Sequence, residues 1–233
     1  MWLIAEYQPT ALFSLKPAGA TSSGGKSLLV PTPFAVKMAL LDVACRTAGV
    51  AVAKEAWPWL RDLTVALRLP KRVVVTNLFT RILKPRRTLA KPGAQHAGPL
   101  GKTIGFREYV YFDGPLGIAL GETLTDPVRL EGWLLQINYL GKRGGFVQLL
   151  GPPTPVEMLP PEFIAVDGDP TRSFPANGII QQLDDCDSSL TFEKADIYSG
   201  KNIGLGKERV LRHVVLPYRL VRSSKSFSFY ERI

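Results

Sequence analysis

Cysteine and histidine are scarce in this sequence, with two of each among 233 residues. Cys45 and Cys186 lie far apart, and neither has a second cysteine or a pair of histidines close by in the sequence. Zinc sites and disulfide frameworks need such residues at short, regular spacing. The sequence therefore predicts no metal, no other cofactor and no disulfide, which is typical of a protein from a reducing compartment.

Long apolar runs are also absent. No stretch approaches the roughly 18 apolar residues that a transmembrane helix needs, and the first residues lack the basic segment and the apolar run of a signal peptide. We therefore expect a cytoplasmic protein without a membrane partner. A hydrophobic content of 45%, together with 19 prolines and 21 glycines, predicts a globular chain with many loops and turns.

A complete phosphate-binding P-loop is missing, although TSSGGKSLLVPTP (residues 21–33) contains the Gly25-Lys26-Ser27 ending of that motif. Ala20 stands where the motif needs a glycine, and the two prolines that follow prevent a helix from running straight out of the loop. The sequence thus argues against a nucleoside triphosphatase. Two interpretations of the glycines and Lys26 remain: they contact another phosphate, such as that of RNA, or they turn the chain before the next helix.

Acidic residues are absent from Leu63 to Arg107, and the whole chain carries 29 basic against 20 acidic residues, a net charge of +9. Such a balance favours a polyanionic partner, with nucleic acid the first candidate. The ten basic residues of the stretch are Arg68, Lys71, Arg72, Arg81, Lys84, Arg86, Arg87, Lys91, Lys102 and Arg107.

The centre of this basic stretch, KPRRTLAKPGAQHAGPLGK (residues 84–102), is rich in proline and glycine. It is therefore predicted to form a long loop or ribbon that projects from the body of the protein. One interpretation is a solvated basic loop. The other is an arm that grips the phosphates of a flexible single strand and releases counterions as it binds.

Apolar periodicity and turn residues predict an alternation of strands and helices. The expected elements, in chain order, are a strand or bent strand pair at Trp2–Leu15, a helix capped at Thr32 and ending at Gly49, a less certain helix at residues 55–70, a strand at Lys71–Leu83, two short strands within residues 106–122, a helix from Asp126 to Gly141 and a last strand within residues 145–151. This α+β order predicts the βαββαβ arrangement of a ferredoxin-like sandwich with an antiparallel sheet.

We expect this domain to cover residues 1–150, with a basic thumb at about residues 80–104. A C-terminal extension, residues 151–233, is expected to pack on it and to end in a basic, β-rich segment. Its acidic cluster LDDCDSS (residues 183–189) has no histidine nearby, which is more typical of a solvated turn than of a metal site.

Three segments resemble the Cas five family of the RAMP superfamily, the subunit that caps the 5′ handle of the guide RNA (crRNA) in type I CRISPR surveillance (Cascade) complexes. The first is the opening strand and glycine loop, followed by the helix PTPFAVKMALLDVA (residues 31–44). The second is REYVYFDGPLGIAL (residues 107–120), and the third is YLGKRGG (residues 139–145). Together they cover roughly residues 1–150.

The resemblance implies a ferredoxin-like core whose thumb hooks the 5′ handle, while the body contacts the backbone RAMP subunit and the large subunit. Target DNA would be reached only through the complex. The RNA-binding residues implied are Arg81, Lys84, Arg86, Arg87 and Lys91 along the thumb, Arg107, Tyr109, Lys142 and Arg143 at its base, and Lys26 in the glycine loop.

Aromatic residues surround Arg107 on the predicted strand, at Phe106, Tyr109 and Tyr111. Single-stranded RNA is held by cationic grooves and by aromatic planes that stack on its bases, so these residues agree with the resemblance. Side chains alternate between the two faces of a strand, and one face is expected to point into the core. Tyr109 is therefore either an RNA-stacking residue or a core residue.

One branch of the family cuts precursor crRNA without a metal, using tyrosine, lysine and histidine. General acid-base cleavage needs a group that titrates near neutrality, and the sequence offers His96 and His213 alone. His96 lies in the predicted thumb and His213 in a predicted strand, and neither forms the expected pair with a lysine. We expect a non-catalytic RNA-binding subunit. The alternatives are a metal-independent endoribonuclease that processes precursor crRNA and an RNA-binding ferredoxin-like protein outside CRISPR systems.

Overall fold

The computed structural model describes residues 1–20, 25–88, 91, 93, 98–122, 124–142, 144–167 and 177–233. Its elements are β1 (Trp2–Pro9), α1 (Pro33–Ala48), α2 (Val50–Arg61), β2 (Thr64–Arg68), β3 (Arg72–Pro85), β4 (Leu100–Asp113), β5 (Leu116–Gly121), α3 (Pro127–Leu134), β6 (Val147–Leu149), β7 (Thr154–Val156), β8 (Ile164–Ala165), β9 (Ile179–Cys186), α4 (Phe192–Ala195), β10 (Arg209–Leu216), β11 (Tyr218–Ser223) and β12 (Phe227–Arg232). Among them, no helix has both the length and the apolar character needed to cross a bilayer.

The first sheet has the strand order β6-β1-β5-β2-β8, and β7 pairs with β1 beside β6. Every pair in it is antiparallel. The central strand β5 is buried at all six of its residues, since neighbouring strands flank it and both of its faces are covered. The prediction of an α+β protein with an antiparallel sheet is confirmed.

Helix α1 begins and ends where the sequence predicts. The Thr32 side chain accepts a hydrogen bond from the backbone N–H of Ala35 at 3.1 Å, and Pro33 occupies the first helical position. At the other end Gly49 has φ = 89°, a conformation that glycine adopts without strain. The helix buries Val36, Leu40 and other apolar side chains in the main hydrophobic core.

The helix predicted over residues 55–70 is wrong in its second half. Helix α2 ends at Arg61, and Thr64–Arg68 forms strand β2, which pairs with β5. The central residues Val65, Ala66 and Leu67 are all buried, because both faces of the strand are covered. A short, continuous apolar run fits a doubly covered strand as well as a helix, so periodicity alone did not separate the two.

The helix predicted from Asp126 to Gly141 is too long. Its start is confirmed, since the Asp126 carboxylate accepts a hydrogen bond from the backbone N–H of Arg129 at 3.0 Å, but α3 ends at Leu134. Beyond it the backbone pairs with a later segment instead of continuing the helix: the N–H of Leu140 donates to the carbonyl of Gly145 at 3.0 Å. Gly141, at φ = 75°, thus turns a tight loop rather than ending a helix.

The second sheet has the order β11-β12-β3-β4 and is antiparallel throughout. Strands β3 and β4 have 14 residues each and pair along their whole length, from Arg72 with Asp113 to Pro85 with Leu100. Two short strands are expected within residues 106–122, and the first of them is the end of the longer strand β4. Residues 84–102 are predicted to form a loop or ribbon. Their first and last residues belong to the paired strands β3 and β4 at the end of this hairpin.

Residues after 150 contribute to both sheets, with β7 and β8 in the first and β11 and β12 in the second. Strands β9 and β10 form a separate two-stranded ribbon that packs against α1 through β9. The domain boundary at residue 150 stays a prediction.

The expectation that the acidic cluster forms a solvated turn is wrong for the first two of its three carboxylates. Asp184 and Asp185 lie on β9 and are buried, with 1% and 6% of their surface exposed. The Lys37 ammonium of α1 lies 2.6 Å from Asp185 Oδ1, and the Arg209 guanidinium lies 2.7 Å from Asp184 Oδ2. Lys37 is itself buried, so this pair is a buried link between α1 and the C-terminal third.

Replacing Lys37 by alanine leaves Asp185 buried without its counter-ion. Removing one partner of a buried pair costs about 3–5 kcal/mol of unfolding free energy, so we expect a clearly lower midpoint in urea denaturation. Arg46→Ala, which removes an exposed ion pair with Asp42 on the same helix, is the control and costs about 0–1 kcal/mol. Equal losses in the two variants would contradict the structural role given to Lys37.

Candidate nucleic-acid interface

The β3–β4 hairpin extends beyond the sheet that anchors it. Strand β12 pairs with β3 only between Arg72 and Thr76, so the rest of the hairpin has no third strand. We call residues 78–88 and 98–107 the arm. The predicted RNA-binding residues Arg81, Lys84, Arg86 and Arg87 are exposed on it, and so is Lys102. Lys91 is described and exposed near the tip, whereas His96 lies outside the described residues.

The register of the hairpin sorts the arm's side chains onto two faces. Paired residues of antiparallel strands share a face, and the face alternates along each strand. One face, which we call the front face, carries three consecutive pairs, Phe79 with Phe106, Arg81 with Ile104 and Leu83 with Lys102. The opposite side, the back face, carries Thr80 with Gly105 and Leu78 with Arg107, and continues to Thr76 with Tyr109 and Val74 with Tyr111.

The front face exposes large apolar side chains between its cations. Phe79 is 66% exposed and Ile104 is 70% exposed, and the rings of Phe79 and Phe106 lie 5.0 Å apart between centroids. A two-stranded arm has no layer against which to bury these groups. Aromatic rings interleaved with arginine and lysine are the surface that stacks on bases while it neutralises phosphates.

Sequence reasoning missed Phe79 and Ile104 as candidate site residues. The alternation in NLFTRIL (residues 77–83) is visible in the sequence, but it predicts only a strand with two different faces. The pairing of Phe79 with Phe106 depends on a register between residues 27 positions apart, which no local pattern specifies. The exposure of the front face depends in turn on the absence of a layer packed on it, which no local pattern specifies either.

The end of the glycine loop is fixed to β4 by one buried carboxylate. Glu108 is 6% exposed, and its oxygens accept hydrogen bonds from Lys26 Nζ at 2.7 Å and from the backbone N–H of Ser27 at 2.9 Å. The backbone N–H of Glu108 donates in return to the carbonyl of Gly25 at 2.6 Å. Segment 25–27 is thereby held alongside the strand. Gly24 lies outside the described residues.

Lys26 remains accessible in spite of this ion pair. Its side chain is 74% exposed, and its ammonium lies 5.9 Å from the centroid of the Phe106 ring. A lysine that is anchored on one side and open to solvent on the other is suited to contact a phosphate as a stack forms on the neighbouring ring. The structure thus places Lys26 next to the front face of the arm.

The structure brings three of the predicted residues together on the other side of the hairpin. Lys142 Nζ lies 5.9 Å from the centroid of the Tyr109 ring, and Arg107 lies on the same face of β4 as Tyr109. Partial burial, with a smaller contribution from the Arg107 charge, lowers the pKa of Lys142. A bound phosphate would relieve this repulsion and favour the charged lysine. Arg143 lies outside the described residues.

Two observations on the described part of the chain concern the catalytic alternatives. No group of three or more His, Cys, Asp or Glu side chains there is arranged to hold a metal ion. His213, predicted to lie on a strand, is on β10, where its ring contacts Gln182 at 3.1 Å. It belongs to the β9–β10 ribbon, not to the hairpin that carries the arm.

Comparison with known proteins finds similarity to a CRISPR-associated protein in sequence and to a CRISPR protein among the solved structures. The chain is 24% identical over 212 residues to CRISPR-associated protein Cas5 of Archaeoglobus fulgidus, a match that covers 86% of each protein. It also matches the crystal structure of a CRISPR protein from Archaeoglobus fulgidus, with a TM-score of 0.45, 14% identity and coverage of 100% of this chain and 92% of that one. No family model matches. The sequence match confirms the resemblance drawn from the motifs.

Substitution of Gly25 tests how the glycine loop is fixed. A Cβ atom at this position would lie 1.9 Å from the carbonyl oxygen of Phe106, so the segment must leave the strand if alanine replaces glycine. We expect Gly25→Ala to lower the melting temperature, because the buried Glu108 carboxylate loses the partners that neutralise it.

Gly19→Ala is the matched control, since a Cβ atom at position 19 meets nothing within 4 Å. It is expected to leave the melting temperature unchanged. A Gly25→Ala variant as stable as the control would show that the segment does not dock on β4 as described.

Proposed function

We propose that this chain is a Cas5-type subunit of a type I CRISPR surveillance (Cascade) complex, which caps the 5′ handle of the crRNA without cutting it. The similarity to a Cas5 protein supports the family. The observation that carries the RNA-binding role is the arm, where the exposed ring of Phe79 and the partly exposed ring of Phe106 lie between exposed cations.

The proposal includes a ferredoxin-like core, which the first sheet supports. Strands β1, β2, β5 and β6 occur in that order along the chain, and their order in the sheet is β6-β1-β5-β2. Helix α1 lies between β1 and β2 in the chain, and α3 lies between β5 and β6. Each helix thus connects two strands that are separated by one antiparallel neighbour, which is the split βαβ pattern. In this interpretation the arm is the thumb.

The arm is built to attract a flexible polyanion. No acidic residue occurs between Leu63 and Arg107 in the sequence, so the cations of the arm meet no carboxylate within it. Phosphate binding at such a surface is driven largely by the release of condensed counterions and is steeply dependent on salt. Stacking of bases on the Phe79 and Phe106 rings adds a contribution that does not depend on salt.

The two faces of the hairpin imply the path of the RNA. Lys26, Phe79 and Phe106 lie at the front face, whereas Arg107, Tyr109 and Lys142 lie at the back face. A strand that contacts both sets must pass around an edge of the arm. This geometry supports a hook around the handle rather than a flat groove.

An apolar groove on the body supports protein partners. It has a volume of about 630 Å³ and is lined by residues of α1 and by the segment around Ile197 and Tyr198. These two side chains are 84% and 91% exposed. Exposed apolar side chains beside a groove are typical of contact surfaces, and we propose that the body uses them toward the backbone RAMP subunit or the large subunit.

Catalysis is not part of the proposal. Of the two histidines in the sequence, His213 is the one that the structure describes, and it lies on the β9–β10 ribbon and not at the arm or its base. A general base has to reach the proton that it abstracts. The function supported here is RNA binding and assembly, with target DNA reached through the complex.

A double substitution on the arm tests the RNA-binding role. Arg86→Gln combined with Arg87→Gln removes two exposed guanidinium groups without adding acidic charge. Each phosphate contact on single-stranded nucleic acid contributes about 0.7 to the slope of log K against log salt. We therefore expect weaker binding and a slope reduced by about 1.4, measured by anisotropy titration of labelled repeat RNA at several salt concentrations.

The control is the pair Arg46→Gln and Arg61→Gln, which removes the same charge from α1 and α2. Its salt slope is expected to equal that of the unsubstituted protein within about 0.3. A slope that stays unchanged in the arm variant, or that falls equally in both, would exclude the arm as the phosphate-binding element.

A further inference from the structure

We infer that the back face of the second sheet is a base-stacking platform for single-stranded RNA, formed by Tyr109, Tyr111, Phe227 and Phe229. The inference rests on the proposed function and extends it from the arm to the sheet that anchors the arm. None of the three motifs behind the resemblance includes the two phenylalanines, which come from the last strand of the chain.

The register of three strands places the four aromatic residues on one face. Phe227 pairs with Thr76, which pairs with Tyr109, and Phe229 pairs with Val74, which pairs with Tyr111. Two rows result, each with an aromatic residue at both ends and a β-branched residue between. From the usual strand geometry, the corners lie about 7 Å apart along a strand and about 10 Å apart across the sheet.

These side chains are not part of the hydrophobic core. Tyr111 is 51% exposed, and Tyr109, Phe227 and Phe229 are partly exposed. Within the described chain, none of the four belongs to a hydrophobic core cluster or packs against one. Tyr230, on the opposite face of β12, does pack against the main core. The side chains that do enter the core from β3 and β4, such as Val75 and Val110, alternate with them and point the other way.

The charges around the four rings differ at the two ends of the platform. Beyond Phe229 and Tyr111 lies a row of charged residues, one on each of the four strands. Positive and negative charges alternate along this row, which consists of Arg219, Glu231, Arg72 and Asp113. Two ion pairs neutralise it, Arg219 with Glu231 at 3.0 Å and Arg72 with Asp113 at 2.7 Å. This row closes the platform with no net charge.

The other end of the platform is cationic and continues into the arm. Beyond Tyr109 lie Arg107 on the next row and Lys142 over the Tyr109 ring. A further cation, Arg222, pairs with Phe229 in the register and so lies at the β11 edge of the other row, the one next to the neutral row. In the described residues, no carboxylate forms an ion pair with Arg107 or Arg222. Phosphates that flank the stacked bases would meet these cations.

This arrangement fits RNA better than a protein partner. Several aromatic residues on the exposed face of a four-stranded antiparallel sheet, with cations beside them, are the means by which RRM domains stack two or three bases. The neutral row confines the bound strand to the side that faces the arm. Arg107 and Arg222 border the rings at two edges of the platform. In the described residues neither forms an ion pair with a carboxylate, so both are suited to contact the phosphates of RNA.

Two alanine substitutions and one conservative substitution test the platform, and the measured quantity is the affinity for labelled repeat RNA. We expect Tyr111→Ala and Phe229→Ala each to weaken binding by about 5- to 100-fold, since loss of one stacking partner has an effect of this size. The salt slope stays unchanged because no charge is removed, which distinguishes these variants from those of the arm. Tyr111→Phe is expected to bind as the unsubstituted protein does, because its ring still stacks.

Leu220→Ala is the matched control, since Leu220 is exposed on the opposite face of the same sheet. It is expected to leave RNA affinity unchanged. If the unsubstituted protein binds the RNA and both alanine variants bind equally well, the platform is wrong while the proposed function stands. The same holds if they keep RNA affinity but lose association with other subunits. If the unsubstituted protein binds no RNA, the proposed function fails and the platform with it.

Cross-linking keeps the inference testable where an alanine variant fails to fold. The unsubstituted protein is irradiated with repeat RNA that carries 5-iodouridine at successive positions, and cross-linked peptides are identified by mass spectrometry. Cross-links to peptides that contain residues 109–111 or 227–229 would support the platform. Cross-links confined to the arm and to Lys26 would overturn it.

Discussion

The buried carboxylate of Glu108 is the contact on which the rest of the interface depends. It lies where the arm leaves the sheet, and it accepts hydrogen bonds from the Lys26 side chain and from the backbone of Ser27. A buried carboxylate is tolerated only when its oxygens are satisfied by such partners. The glycine loop, the base of the arm and the segment that leads into α1 are therefore joined at one residue.

The position of Glu108 also divides the hairpin into two parts with different surroundings. On the body side, Val110 and Phe112 of β4 are buried, and Phe13 packs against Phe112 with ring centroids 4.9 Å apart. On the tip side, the same face of β4 carries the exposed Ile104 and the partly exposed Phe106. One strand thus contributes to the core at one end and to the candidate RNA site at the other. A rigid base is what lets an exposed arm hold its side chains in position.

Local signals in the sequence were sufficient for some elements. Thr32, Pro33 and Gly49 specify the limits of α1 through capping and backbone conformation, which depend on neighbouring residues alone. The proline- and glycine-rich segment 84–102 likewise predicts a loop or ribbon, and its ends are the paired ends of the β3–β4 hairpin. The candidate residues Arg107, Tyr109 and Lys142 lie near one another in the structure. The resemblance groups them because a family motif carries information about distant segments.

The remaining features depend on contacts that no local pattern contains. The apolar run of strand β2 predicts a helix when it is viewed alone, because its pairing with β5 and β8 involves residues far away in the chain. The sequence around Asp185 predicts a solvated residue, because its partner Lys37 is 148 positions away. The pairs Phe79 with Phe106 and Phe229 with Tyr111 follow from strand registers set by the fold as a whole. These registers define most of the candidate site.

The most direct test of the central claim, RNA capping without cleavage, is incubation of the purified protein with 5′-labelled precursor crRNA in EDTA, followed by native and denaturing electrophoresis. The account predicts that the RNA is retained, that its 5′ handle is protected from added nuclease and that its length is unchanged. Specific cleavage within the repeat would contradict the account in favour of a processing endoribonuclease. Absence of retention at low salt would contradict RNA binding by this chain.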